Sequence, residues 1–70
     1  MRITYDKAAD AAYVYLVDRI RRGEVARTYS CDVKQVGEIN LDFDKGGHLL
    51  GIEILNASSR LSPETLRGIA

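Results

Sequence analysis

The 70-residue chain has one cysteine, one proline, one histidine, no tryptophan and no net charge. Cys31 alone cannot form an internal disulfide framework, and a lone thiol suits a reducing compartment, so a cytoplasmic location is expected. Ten Lys plus Arg offset ten Asp plus Glu. That balance argues against binding nucleic acid by bulk charge and against a polybasic membrane anchor. The longest unbroken apolar run, Ala11 to Val17, is far too short to span a bilayer. No charged-then-apolar signal segment opens the chain, which again fits the cytoplasm.

The chemistry of most active sites is scarce as well. With one histidine and one cysteine, no zinc-type ligand set is expected, and no cofactor is implied. Asn40, Asp42 and Asp44 have the alternation of a calcium loop, but the glycine falls late at Gly46 and the closing acid is missing. A solvated strand face explains them better. Cys31 and His48 form no plausible nucleophile–base pair, since one falls in a strand and the other follows a turn. Gly46-Gly47 reads as a hairpin turn, with no Gly-Lys-Ser/Thr and no helix after it.

What the chain has is alternation. Ile39, Leu41 and Phe43 alternate with Glu38, Asn40, Asp42 and Asp44, and Leu50, Ile52 and Ile54 alternate with Gly51, Glu53 and Leu55. With Asp44-Lys-Gly-Gly47 between them, the two runs predict a β-hairpin.

Asp6 to Gly23 allows two readings. Ala8, Ala12, Leu16 and Ile20 recur at four-residue intervals, as in a helix, whereas Tyr13-Val-Tyr-Leu-Val17 suits a pleated surface. An offset of 38 residues favours strands, with at most one helical turn in Lys7 to Ala11. It sets Ile3 on Leu41, Tyr5 on Phe43, Asp6-Lys7 on Asp44-Lys45, and Val14 on Ile52. Only the Asp-Lys pair is identical, so the blocks share physics rather than sequence.

Val25 to Cys31 predicts a connecting strand and Asp32 to Gly37 a polar link. In the tail, Ser62 is a suitable N-cap, Pro63 fits the first helical position, and Leu66 and Ile69 share a face. The expected fold is a mainly β (α+β) single domain over residues 1–70. It is an antiparallel β-meander of about five strands (two hairpins plus a connecting strand) over 1–60, with a short C-terminal helix over 61–70.

A chain this short buries only about 60% of its unfolded surface and usually needs a disulfide, a metal or a second subunit. A homodimer is therefore expected. If Val14, Leu16, Leu41, Phe43, Ile52 and Ile54 form one buried face, the other carries Tyr13, Tyr15, Val17, Leu55 and Glu53. That second face is too apolar for simple exposure, so these residues are candidates for an interface, with Glu53 setting register. A carboxylate there needs a partner, and Arg27 on the connecting strand is one candidate. The preferred function is a non-enzymatic protein-interaction module. The alternatives are a small enzyme or ligand-binder using Glu53, Arg27 and the tyrosines, and nucleic-acid binding through the basic spot of Arg19, Arg21 and Arg22.

Ile3-Thr-Tyr-Asp6, Asp10-Ala-Ala-Tyr13-Val-Tyr-Leu16, Ala26-Arg-Thr28 and Gly51-Ile-Glu-Ile-Leu-Asn-Ala-Ser58 occur in that order. Together they resemble the small bacterial domain-of-unknown-function family numbered 2283, over nearly the whole chain up to about Leu61. The Gly51 to Leu55 segment is the most specific part. The chain departs from that pattern in carrying Lys7 where such proteins often have Pro, in its basic Arg19 to Arg22 turn, and in lacking acidic residues around Tyr29-Ser30. The resemblance implies no activity and no catalytic residues. It suggests an antitoxin-like partner of a small ribonuclease-like toxin.

Overall fold

Alternating apolar and polar residues put five strands into one antiparallel sheet: β1 (Arg2–Asp6), β2 (Ala11–Tyr15), β3 (Arg27–Val33), β4 (Gly37–Phe43) and β5 (Leu49–Leu55). The computed structural model describes residues 1–34 and 37–69, the side chain of Val33 excepted. Two short helices follow, α1 (Ala57–Arg60) and α2 (Pro63–Ile69). The strand order is β1-β2-β5-β4-β3. Consecutive strands β3, β4 and β5 form a meander, and β5 returns to pair with β2. The connection over residues 16–26 therefore runs from β2 to the far edge of the sheet. It is tied at its ends by Leu16 N–H to Leu50 O (2.9 Å) and Ala26 N–H to Phe43 O (2.8 Å). Among the described residues no helix is long and apolar enough to cross a membrane.

The ambiguous Asp6–Gly23 segment is a hairpin followed by this loop, and no helix forms in it. Cross-strand packing of β-branched and aromatic side chains outweighs the four-residue alanine spacing. The two hairpins match at the predicted offset. Ile3 faces Val14 as Leu41 faces Ile52. Asp6 Oδ1 accepts from the Ala8 and Ala9 N–H groups at 3.1 and 3.3 Å, and Asp44 Oδ1 accepts from Gly46 and His48 N–H at 2.9 Å each. Each Asp thus closes its own turn. Val14 and Ile52, equivalent under the offset, also face each other across β2 and β5. The hairpins are therefore related by a local two-fold axis normal to the sheet. A bulge between Asp42 and Phe43 breaks the match, so that Phe43 faces Leu49.

The connecting strand starts two residues later than Val25 and runs on through Asp32 to Val33, so little of the expected polar link is left. Gln35 and Val36, within that link, lie outside the described residues. The tail holds one more helix than expected. Asp10 and Asn56 both take left-handed backbone conformations (φ 51° and 55°), which short polar side chains tolerate. This brings Ala57 N–H to Asp10 O (2.9 Å), and Ser58 N–H and Oγ–H to the Asp10 carboxylate (2.9 and 2.7 Å). Tyr5 donates to the same carboxylate at 2.7 Å. α2 begins at Pro63, with Ser62 Oγ accepting from Thr65 N–H at 3.1 Å, as a capping residue should.

Asp10 thus ties the first hairpin to the tail. The Ser58 hydroxyl, then the Tyr5 hydroxyl and the Ser58 amide, hold its carboxyl below the usual range. As the pH falls below about 4, the unfolded chain takes up this proton before the folded one. The tie contributes fully above that pH and is lost on acidification through the depressed value. Asp10→Asn is expected to flatten the acid limb of the stability profile, measured by thermal melts between roughly pH 2 and 6. An unchanged acid limb would contradict this role.

Candidate functional site

Strand alternation gives the sheet two unlike faces. One carries Val14, Leu41, Phe43, Ile52 and Ile54, as the sequence predicts, together with Ile39, while Leu16 of the expected set lies just beyond the end of β2. These side chains are only half-buried. Tyr29, on β3 opposite Leu41, is 60% exposed and meets the Phe43 ring edge-on at 6.1 Å. Among the described residues the buried hydrophobic ones are Ala12, Leu50 and Ala57, and no large side chain is fully enclosed. The molecule measures 35 × 27 × 18 Å, a thin slab, with the helices short and set toward β1 and β2. At the end of this face Arg27, Tyr29, Phe43 and the Asp44–Gly47 turn line an open groove of about 350 Å³.

The other face is polar and internally bonded. Gly51, buried in β5, leaves room for the Tyr13 ring, which lies over it and donates its hydroxyl to Asp42 at 2.6 Å. Thr28 donates to the other Asp42 oxygen at 2.6 Å. One strand position along, Asn40 Nδ2 donates to Glu53 Oε1 at 2.8 Å. The Tyr13 and Tyr15 rings lie 4.7 Å apart, and the Arg2 guanidinium sits 3.9 Å over the Tyr15 ring.

Burial, and after it the hydrogen bond to Asp42, pushes the Tyr13 hydroxyl well above the ordinary tyrosine range. Above about pH 10 the unfolded chain releases this proton while the folded chain keeps it, so stability falls as the pH rises there. Tyr13→Phe is expected to flatten this alkaline limb and to remove the last tyrosinate to appear in an ultraviolet titration. Loss of an ordinary tyrosinate near pH 10, with the latest transition kept, would contradict the shielded, Asp42-bonded Tyr13.

Tyr13, Tyr15, Glu53 and Leu55 therefore share one face, as expected, and Val17 follows half-buried just beyond β2. Arg27 does not join them. It sits opposite Phe43 on β3, two strands from β5, on the apolar side. Glu53 takes Asn40 as its hydrogen-bond partner instead. Arg19, Arg21 and Arg22 lie exposed in the connection, where Arg21 N–H bonds the Glu24 carboxylate at 2.9 Å. Sequence reasoning passed over Asn40 and Asp42 as a solvated strand face. Their only signal is the alternation of β4, which shows its polar side but not which strand lies beside it.

The model of the family described as "Protein of unknown function (DUF2283)" matches residues 2–58. The chain belongs to this family. The match takes in all five strands and the first residues of α1, so the two-faced sheet is the family region and α2 lies beyond it. Comparison with curated proteins and with solved structures gives no match.

Proposed function

We propose that this DUF2283 protein is a non-enzymatic interaction module, in which two copies close their apolar sheet faces on each other and together hold a partner protein, in the manner of an antitoxin. The observation that carries this reading is the half-open apolar face. A 7.8 kDa monomer is expected to expose about 4,400 Å² of surface. The chain exposes 5220 Å². The excess of roughly 800 Å² is about one partner's share of a standard-size interface. A second copy would supply the missing layer, giving two sheets packed about 10 Å apart. The antitoxin-like role draws on the resemblance, and the placement of Arg27 and Glu53 on opposite faces speaks against a shared catalytic pocket. Sedimentation equilibrium at about 10 μM is expected to give twice the 7.8 kDa chain mass, and Tyr29→Asp to shift the protein toward monomer. A wild-type monomer at that concentration refutes the dimer.

A further inference from the structure

The polar face has a charge imbalance that neither the dimer nor the fold uses. Asp32, Glu38, Asp42 and Glu53 all project from it, and the one basic residue at its strand positions is Arg2, at the far edge. Among the described residues the ion pair is His48 with Asp44, in the β4–β5 turn, and none of these four carboxylates is in one. Four acids alone would be a solvated surface. At their centre, however, sits Asn40, only 9% exposed, whose amide oxygen is buried and has no hydrogen-bond partner among the described residues. Its orientation is fixed, because turning the amide over would set its oxygen against the Glu53 carboxylate. The middle of the face therefore holds unused acceptors: the enclosed Asn40 oxygen and the Glu53 carboxylate oxygen that Asn40 does not occupy.

We infer that this face, centred on Asn40 and Glu53, is a docking surface for an arginine-bearing basic segment of a partner protein. A guanidinium carries five donors and no acceptor, the complement of this cluster. Arriving from solvent it meets the half-buried Glu53 carboxylate, and the enclosed Asn40 oxygen comes within reach of its remaining donors only when the side chains covering it shift. Tyr13 is paired with Glu53 across β2 and β5, and its ring lies over Gly51, two residues along, so an aromatic ring borders the site. The chain already makes such a contact within itself, Arg2 over Tyr15. With two copies joined through their apolar faces, both acidic faces point outward, and the dimer carries two such sites. This deepens the proposed function and rests on it only in taking the occupant to be a protein.

The test uses the full chain, labelled with ¹⁵N, and two acetylated, amidated pentapeptides, one with a central arginine flanked by glycines and one with citrulline in its place. The arginine peptide is expected to shift the Asn40 side-chain NH₂ signals and the amides of Asn40, Asp42 and Glu53. Glu53→Gln should weaken it by about tenfold, as should added salt. Citrulline, which keeps the shape and loses the charge, should leave the spectrum unmoved. Equal shifts from citrulline, shifts confined to other residues, or undiminished binding in Glu53→Gln each overturn the proposal. So does a molar mass that rises above dimer and falls with salt, which would show the Arg19–Arg22 loop of another copy to be the occupant. The dimer is read separately from sedimentation, so a monomer that still binds the arginine peptide here refutes the dimer and leaves this site standing.

Discussion

Leu50→Ala is expected to lower the stability of the folded chain by about 2–5 kcal/mol, the range for truncating a large aliphatic side chain in a core. At 2% exposure Leu50 is, among the described residues, the one large hydrophobic side chain close to full enclosure. It lies on β5 opposite the Asp42/Phe43 register shift, and its carbonyl takes the Leu16 amide that anchors the long connection. The bulge and the connection hold the backbone around it, so the space left by truncation cannot easily close. A 70-residue domain has a total stability of only about 4–10 kcal/mol. The melting temperature should therefore fall by more than about 10 °C. The loss should be the same at every protein concentration. Leu41→Ala, on the half-open face, should behave differently, with a loss that depends on concentration because its side chain faces the second copy. If the two variants respond alike to dilution, the division between a small fixed core and an associating face is wrong.

That division was only partly legible in the sequence. Both hairpins were readable, because each combines period-two alternation with an Asp whose carboxylate caps its own turn, and those interactions are local. The strand order was not, since nothing in Val25 to Val33 specifies whether it lies beside β2 or β4; that depends on a connection passing over the sheet end. The apolar set of Leu41, Phe43, Ile52 and Ile54 was identified, but alternation says which residues share a side, not which side is covered. The polar side was misjudged in the other direction. Tyr13 and Tyr15 made it look apolar, while Asp42 accepts from Tyr13 and Thr28, and Glu53 accepts from Asn40. The partnership of Asn40 with Glu53, in place of Arg27, follows from β4 lying next to β5 and could not be had before that pairing was known. α1 was missed because four residues carry no helical period; it exists through Asp10, forty-eight positions away from Ser58.

Gly51→Val is expected to be the most damaging change on the polar face, at about 3 kcal/mol. A Cβ at position 51 would run into the Tyr13 ring and hydroxyl, so the ring must leave its place over β5. Displacing a packed side chain costs about 1–3 kcal/mol. Once the ring has moved, its bond to Asp42 is broken, and hydrogen bonds to a charged group contribute about 1.5–3 kcal/mol. Asp42 keeps Thr28, which limits the total. Strand propensity works in the opposite direction, since valine suits a pleated position far better than glycine. The effect should therefore reverse when the ring is absent: in a Tyr13→Ala background Gly51→Val is expected to be neutral or stabilising. The double-mutant cycle should then show a coupling of about 2–3 kcal/mol, large for neighbouring residues. Equal losses in both backgrounds would mean that glycine is needed for the β5 backbone itself. In that case the ring over Gly51 merely fills space, and the Tyr13–Asp42 bond does not organise the face on which Asn40 and Glu53 sit.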